Sequence, residues 1–371
     1  MADAQTDTKT AVQKNDPVRP AIILDSATLR TSTIFLEHFL AGMTTQAYVP
    51  VVVCPPDADT SCIPSPPASI IYYPAIKLPL LWTAYNRKRL FDDLLKQKPT
   101  ILHCIGTTHV NLTAKLAQRM DLPYLLMIES LPKSFIPFSV SPARCAAILS
   151  PVARTVTALR KKFPALAERV SHLRLGTFIE DTCACFESLS RIPGIVMAGP
   201  LISAADFEQV LKAVKHLAIE ANEFVLAVIG SGPAQSQIRK IVKTLGLTHI
   251  VSMLDNVRSI RSVFAGADIF IQPGPIRTFN ACLLEAMSVG MAIAANRNVE
   301  DELLIDDLTV VRFDCDDELS IYAALQKLLN QREFARNLAL NSQAELRKAH
   351  TVTQMIDSII RTYQKSQDWI R

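Results

Sequence analysis

Short apolar runs alternate with helix-length amphipathic segments along most of the chain. Helices are predicted between the runs, for example over 34–43, 110–120, 234–245 and 279–289. The predicted strands cover residues 21–24, 49–54, 69–73, 101–104, 124–128, 224–229, 249–254, 269–272, 292–295 and 309–313. Alternation of this kind is typical of parallel α/β units.

The periodicity breaks near residues 174–193, where glycines, a proline and a close cysteine pair interrupt it. We place a domain boundary there, because few regular elements cross such a segment. The prediction is a first domain over 20–180 and a second over 190–350. Residues 351–371 form an amphipathic helix, and the polar stretch 1–19 is expected to be a disordered tail.

Composition limits the class of protein. Of 371 residues, 49% are apolar and 20% charged, which suits a well-packed globular chain. No apolar run approaches the roughly 20 residues that span a bilayer, and the N-terminal stretch lacks the apolar core of a secretory signal. A net charge of +4 is too mild to indicate a nucleic-acid partner. We therefore expect a cytoplasmic protein.

The eight cysteines are scattered, and several lie in apolar strands. This favours reduced, buried thiols over a disulfide framework. Cys183 and Cys185 are the one close pair, and no second pair with metal-ligand spacing accompanies them. No metal site is predicted.

Two segments of the second half carry candidate chemistry. In 272–290 a buried strand ends in a tight loop, followed by a helix with one carboxylate, Glu285, between apolar neighbours. The carboxylate either faces a site or lies on a solvated helix face. The turn with Gly230 and Gly232 stands between a strand and a helix, where a helix N-terminus can receive a phosphate. A plain tight turn would need the same glycines.

With the acidic turn at Asp255, these segments in this order resemble the donor site of family-4 retaining glycosyltransferases of the GT-B fold. The resemblance is firm over about 224–296 and fainter over 21–176. It implies an α/β fold of two Rossmann-like domains with parallel sheets that face each other across a cleft. The nucleotide-sugar would bind the second domain, and the helix 351–371 would cross back to the first.

The resemblance also implies roles for single residues. Glu285 matches the glutamate that accepts hydrogen bonds from the ribose hydroxyls, a task that suits a carboxylate. The expected nucleotide-sugar-binding residues are Gly230, Gly232, Asp255, Phe279 and Glu285.

The family's motif has a second glutamate eight residues earlier, where this chain has Arg277. A guanidinium cannot accept hydroxyl hydrogen bonds, but it can bind a phosphate or a carboxylate-bearing sugar. Arg277 therefore indicates either a changed donor or a decayed site held by a salt bridge.

Other positions depart from the family as well. Pro200 stands where an arginine is expected, and no lysine follows until Lys212, so the cations that neutralise the leaving pyrophosphate are missing. The first loop, 25–33, lacks the usual glycines. Glu129 replaces an acceptor-side histidine; it could act as a base, bind hydroxyls or cap the next helix.

The expected function is sugar transfer from a nucleotide-sugar to a hydroxyl acceptor, glycan or lipid-linked, with retention. Glu129 and Arg277 are the candidate catalytic residues, and no metal or other cofactor is implied. The alternative is a non-catalytic GT-B protein that acts as a binding or partner subunit.

The segment 78–95 mixes aromatic and basic residues on a predicted helix. Such a face suits peripheral docking on an anionic membrane, here the inner face. A partly buried helix with snorkelling cations would give the same pattern.

Overall fold

The computed structural model describes residues 18–61, 63, 69–74, 80–131, 139–188, 190–220, 223–255, 257, 259–274, 281–299 and 301–367, with the backbone alone for 80–84. The predicted tail lies outside this range except for its last two residues. Arg277 and Phe279 also lie outside the described residues.

The first domain is a seven-stranded sheet in which all strand pairs are parallel. The strands are β1 (Pro20–Ile23), β2 (Val51–Cys54), β3 (Ile70–Tyr72), β4 (Ile101–Ile105), β5 (Tyr124–Met127), β6 (Cys145–Ser150) and β7 (Val170–His172). Their order is β3-β2-β1-β4-β5-β6-β7. The connecting helices are α1 (Ser26–Thr31), α2 (Thr33–Thr45), α3 (Leu80–Gln97), α4 (Val110–Met120) and α5 (Ala153–Lys162), and a 3-10 turn covers Pro164–Arg169.

The second domain is a six-stranded sheet, also parallel throughout, in the order β10-β9-β8-β11-β12-β13. The strands are β8 (Gly194–Ala198), β9 (Val225–Ile229), β10 (Val251–Leu254), β11 (Ile269–Gln272), β12 (Ala292–Asn296) and β13 (Val310–Phe313). The helices are α6 (Ala205–Ile219), α7 (Gln235–Thr244), α8 (Ile260–Ala265), α9 (Ala281–Ser288), α10 (Glu318–Asn330), α11 (Arg332–Ala349) and α12 (Val352–Gln367).

The central strands are buried from end to end, as in β1, β2, β5 and β12. Crossover helices cover both faces of a parallel sheet, so its strands are continuous apolar runs rather than alternating ones. This explains why the hydrophobic pattern located most of the strands to within two residues. The segment 25–33, which was read from the sequence only as a loop without the usual glycines, contains the short helix α1.

Two segments that run between the domains lie side by side: the segment between β7 and β8, and the junction of α11 and α12. Thr177 of the first segment donates its N–H to the His350 carbonyl of the second, and its carbonyl accepts a hydrogen bond from the Val352 N–H. Helix α12 then packs against α2 and against strands β4 and β6 of the first sheet. At its far end the fully buried Tyr363 lies 2.7 Å from Nδ1 of His103 on β4.

Each sheet reverses its strand order once, between β1 and β4 in the first domain and between β8 and β11 in the second. Ligands of open α/β sheets bind outside the carboxyl ends of the strands at such switch points. In the second domain this position is formed by the loops after β8 and β11, which contain Gly199 and Gly274.

Candidate functional site

Glu285 lies on α9, the helix that follows β11, and its carboxylate is almost fully buried, with 2% exposure. Both carboxylate oxygens accept hydrogen bonds. Oε1 receives one from Nη1 of Arg261 at 2.6 Å, and Oε2 receives one from the Thr177 hydroxyl at 2.9 Å. The carboxylate therefore does not lie on a solvated helix face, one of the two positions that the sequence allowed.

Arg261 comes from the first turn of α8 and is about three-quarters buried. Besides Glu285, its guanidinium donates to the Phe178 carbonyl at 2.6 Å and to Glu180 at 2.7 Å, and Nη1 also reaches the Ser288 hydroxyl at 3.2 Å. Burial alone would lower the pKa of Arg261, but the carboxylates of Glu285 and Glu180 outweigh it and raise that pKa. The charged guanidinium therefore links α9 to the segment between β7 and β8, which contains Phe178 and Glu180.

His38 brings the first domain to the same carboxylate. It lies on α2, and its Nε2 is 3.5 Å from Oε2 of Glu285. The Phe178 ring contacts the imidazole edge-on, with centroids 5.2 Å apart. Burial lowers the pKa of His38, although the nearby Glu285 charge acts in the opposite direction. The neutral imidazole is thus favoured.

Glu285 is therefore the meeting point of both domains and the segment that joins them. Sequence reasoning singled out Glu285 but missed its three partners, Arg261, Thr177 and His38. Thr177 and His38 lie far from it along the chain, Arg261 lies on the preceding helix, and no local motif marks any of the three. We name this group the Glu285 cluster.

The turn between β9 and α7 packs directly on the loop after β8. A Cβ atom at Gly230 would lie 2.0 Å from the Gly199 carbonyl oxygen, and one at Gly232 would lie 2.2 Å from that of Leu201. Both glycines have positive φ, 144° and 159°. Close backbone approach and backbone conformation thus require both glycines in the absence of any ligand.

The backbone donors of this turn are also largely in use. Gly230 N–H donates to Leu254, and Ala234 N–H donates to Leu201. Gln235, the first residue of α7, donates its N–H to Gly232. A phosphate at this helix start would have to use the remaining donors, and a nucleotide role for Gly230 and Gly232 stays a prediction.

Asp255 follows β10 and is about half exposed. Its carboxylate accepts hydrogen bonds from two side chains of α7, Gln235 and Arg239, the latter at 3.0 Å. The Asp255 carboxylate is thus bound to side chains of α7, and its predicted role in nucleotide-sugar binding stays a prediction.

The loop after β8 supplies no cation. From Gly199 to Leu211 the sequence contains neither lysine nor arginine, and Lys212 pairs with Glu208 on the surface of α6. Instead, the carboxylate of Asp206 packs against Gly274, where a Cβ atom would lie 3.1 Å from Oδ2. A carboxylate therefore lies beside the start of the segment that carries Arg277 and Phe279.

Glu129 follows β5, at the carboxyl edge of the first sheet. Its Oε1 accepts a hydrogen bond from the Ser32 hydroxyl at 2.9 Å, and its carbonyl accepts one from Thr155. Burial raises the pKa of Glu129, and the Ser32 hydrogen bond opposes that rise. This favours the protonated acid more than at an exposed carboxyl.

Helix α2 connects Glu129 to the Glu285 cluster. Ser32 is the residue before the helix and touches Glu129, while His38 lies about 9 Å further along the axis and touches Glu285. The structure thus places the carboxylates predicted for the acceptor side and the donor side at two points of one helix.

The loop after β1 is closed by its own side chains. Asp25 caps α1 by accepting a hydrogen bond from the Thr28 N–H at 2.6 Å. Burial would raise the pKa of Asp25, but hydrogen bonds from Thr108 and Thr28 outweigh it and lower that pKa. The aspartate at the helix start is the sequence signal that could have predicted α1.

Among the described residues, one group has side chains close enough to share a metal ion: Asp314, Cys315 and Asp316, in the turn after β13. Asp314 already accepts a hydrogen bond from the backbone of Asp316, and exposed acidic turns of this kind are common without an ion. The seven described cysteines are free thiols. Within the same part of the chain, no helix combines the length and the apolar content needed to cross a membrane.

Comparison with known proteins agrees with this architecture. Residues 191–345 match the family model described as "Glycosyl transferases group 1". An uncharacterized glycosyltransferase of Haemophilus influenzae is 24% identical over 101 residues, which cover 27% of this chain and 29% of that protein. The match thus spans under a third of this curated relative's length.

Solved structures match over nearly the whole chain. A glycosyltransferase from Rickettsia africae has a TM-score of 0.71 at 10% identity, covering 95% of this chain and 99% of its own. Alr3699/HepE of Anabaena, solved with UDP and glucose, has a TM-score of 0.71 at 13% identity, with 94% and 100% covered. Sucrose-phosphate synthase of Thermosynechococcus elongatus has a TM-score of 0.68 at 13% identity, with 94% and 99% covered.

The fold is therefore GT-B, with two Rossmann-like domains built on parallel sheets, as the sequence resemblance predicted. Within that class, the second domain carries the sequence pattern of the glycosyl transferases group 1. The resemblance to this group is confirmed, and it supports sugar transfer as the general chemistry.

Proposed function

We propose that this chain transfers a sugar from a nucleotide-sugar donor to a hydroxyl acceptor, a glycan or a lipid-linked glycan, with retention of configuration. The donor nucleoside binds at Glu285. No obligatory metal takes part, and the nucleotide-sugar is a co-substrate.

The buried carboxylate of Glu285, set on the helix after β11, carries this proposal. The helix starts beside the switch point of the second sheet, where open α/β folds bind ligands. A carboxylate held there suits two ribose hydroxyls, because each of its oxygens accepts a hydrogen bond. The match of residues 191–345 to a sugar-transferase family supports a donor site in this domain.

The proposal gives the other predicted residues the roles that the sequence resemblance implies. Gly230, Gly232, Asp255 and Phe279 are assigned to binding of the nucleotide-sugar. Glu129 and Arg277 are assigned to the sugar and the acceptor. Because its pKa is raised, Glu129 keeps a proton more readily than an exposed carboxyl and can exchange it with an acceptor hydroxyl.

We further propose a cytoplasmic location with peripheral contact at the inner membrane face through the segment 78–95. Its described part, on α3, exposes Tyr85, Lys88 and Arg89 together. An aromatic ring beside cations fits the interface of an anionic lipid surface.

Titration calorimetry with UDP, GDP and ADP at up to millimolar concentration tests the donor site. One nucleotide should bind the wild type, and Glu285→Gln should weaken that binding about tenfold or more, since a charged acceptor is lost. The matched control is Glu345→Gln, which changes a partly exposed carboxylate on α11 that pairs with Lys348, and this variant should bind as the wild type does. Hydrolysis of the matching sugar nucleotide would establish turnover.

A second candidate is a non-catalytic GT-B protein that acts as a binding or partner subunit. The ion pair between Arg261 and Glu285 favours it, since the carboxylate is already neutralised. Asp206 and Pro200 favour it too, because the predicted pyrophosphate position gains an anion and lacks a cation. No binding of the three nucleotides by the wild type, together with no donor hydrolysis, would overturn catalysis and support this candidate.

A further inference from the structure

The two oxygens of Glu285 are both occupied inside the protein. Oε1 is held by Arg261 at 2.6 Å and Oε2 by Thr177 at 2.9 Å. Each oxygen has a second lone pair, but the side chain is only 2% exposed and His38 lies 3.5 Å from Oε2, so ribose hydroxyls can reach the carboxylate only after a protein donor moves away. Ligand and protein therefore compete for one group.

We propose that Arg261 is an autoinhibitory residue that occupies Glu285 and must release it before a nucleoside diphosphate can bind. The proposal rests on the position of the nucleoside proposed above. It does not depend on whether the chain is catalytic.

The contacts of Arg261 show why it is a strong competitor. Its guanidinium makes charge-assisted hydrogen bonds to two carboxylates, Glu285 and Glu180, which are about twice as strong as neutral ones. A hydrogen bond from a ribose hydroxyl to Glu285 is charge-assisted only through its acceptor, whereas the guanidinium also carries the opposite charge. The hydroxyl therefore gains less from Glu285 than the guanidinium does, and the closed state is preferred until other contacts of the ligand contribute.

The release also concerns the segment between the domains. Arg261 donates to the Phe178 carbonyl and to Glu180, both on that segment, and Thr177 on the same segment holds the other oxygen. Because the Glu285 carboxylate on α9 contacts both Arg261 on α8 and Thr177, breaking these hydrogen bonds removes contacts between the second domain and the segment that joins β7 to β8. Nucleoside binding and the interdomain contact are thereby coupled.

The coupling predicts a gain of affinity when the competitor is removed. Arg261→Ala should bind its preferred nucleotide about tenfold or more tightly than the wild type, the factor expected for one charge-assisted hydrogen bond. Calorimetry with UDP, GDP and ADP measures it. Arg144→Ala is the matched control: it removes an arginine paired with Asp121 on the first domain and should leave the affinity unchanged.

A second variant guards against misfolding of the first. Glu180→Gln removes the outer partner of Arg261 and leaves the buried pair with Glu285 intact. It should raise the affinity by a smaller factor. Thermal unfolding identifies which variant remains folded, and if Arg261→Ala does not, the Glu180→Gln result decides.

The outcomes separate this proposal from the proposed function. Tighter binding by the Arg261 variant supports autoinhibition, even if the wild type binds nothing. Equal or weaker binding by the variant, with clear binding by the wild type, overturns autoinhibition and leaves the donor site standing. No binding by either protein shows that the nucleoside site is wrong, and both proposals fail.

Discussion

The guanidinium of Arg261 lies 2.6 Å from the carboxylate of Glu285, and the two side chains come from successive helices of the second domain. The carboxylate is 2% exposed and the guanidinium 25% exposed. A pair this deeply buried costs much to disrupt from one side only, because the remaining charge has no compensating partner. The Glu285 cluster is consequently part of the fold as well as the proposed donor site.

Glu285→Ala should therefore lower the free energy of unfolding, by about 2–4 kcal/mol, as the Arg261 guanidinium and the Thr177 hydroxyl lose their acceptor. Urea unfolding followed by circular dichroism measures the loss. The matched control, Glu345→Ala, removes a surface pair in which the lysine is exposed and the carboxylate partly exposed, and should change stability by less than about 1 kcal/mol. Equal losses in the two variants would contradict a structural role for the Glu285 cluster.

Gly230→Ala should destabilise the second domain strongly. Its Cβ would meet the Gly199 carbonyl at 2.0 Å, and a φ of 144° is unfavourable for any other residue. We expect a loss of about 3 kcal/mol or more from the backbone overlap and the strain together. Thermal and urea unfolding provide the measurement.

Gly246→Ala separates the two causes. Gly246 also has positive φ, 74°, but a Cβ there would meet no atom within 4 Å. Gly246→Ala should lower the free energy of unfolding by about 1 kcal/mol, because only the backbone conformation is strained and no atoms overlap. If Gly230→Ala were as mild as Gly246→Ala, close packing on the loop after β8 would not be the reason for the glycine.

The sequence predicted the sheets well and the site only in part, for a physical reason. Buried parallel strands are apolar along their whole length, so β4 and β11 are visible as local patterns. The partners of Glu285 leave no such pattern. His38 and Glu285 meet only because α2 of one domain is packed beside α9 of the other, across 247 positions of the chain.

Local chemistry was equally ambiguous at the glycine turn. Gly230 and Gly232 fit a phosphate cradle and a crowded backbone contact alike, and only the distance to Gly199 and Leu201 reveals the crowding. At Asp25, in contrast, the sequence does contain a local signal, because an aspartate is a preferred residue just before a helix, although the segment was interpreted as a loop.

Stability should fall as the pH is lowered below about 6.5, in part because of His103. This side chain is fully buried, its Nδ1 contacts the Tyr363 hydroxyl, and burial lowers its pKa to about 3. The unfolded chain binds a proton near pH 6.5 and the folded chain does not, so protonation favours unfolding between these two pKa values. At pH 5 the cost is about 2 kcal/mol.

The variant His103→Leu isolates this contribution. Urea unfolding at pH 7.5 and pH 5 should show a loss about 2 kcal/mol smaller in the variant than in the wild type. Asp25 and His38, whose pKa values are also lowered, respond equally in both proteins and cancel in the comparison. Parallel stability profiles would mean that His103 takes up a proton in the folded state.

Membrane contact through α3 should depend on its exposed cations. Lys88→Glu combined with Arg89→Glu should weaken binding to vesicles that contain anionic lipid by about tenfold or more, because each basic residue near such a surface contributes about 1 kcal/mol. The same charge change at Lys240 and Lys243, exposed on α7 of the second domain, is the control. Sedimentation with vesicles at low and high salt measures binding, and added salt should weaken it. Equal behaviour of the two double variants would assign any binding to net charge and leave α3 without a membrane role.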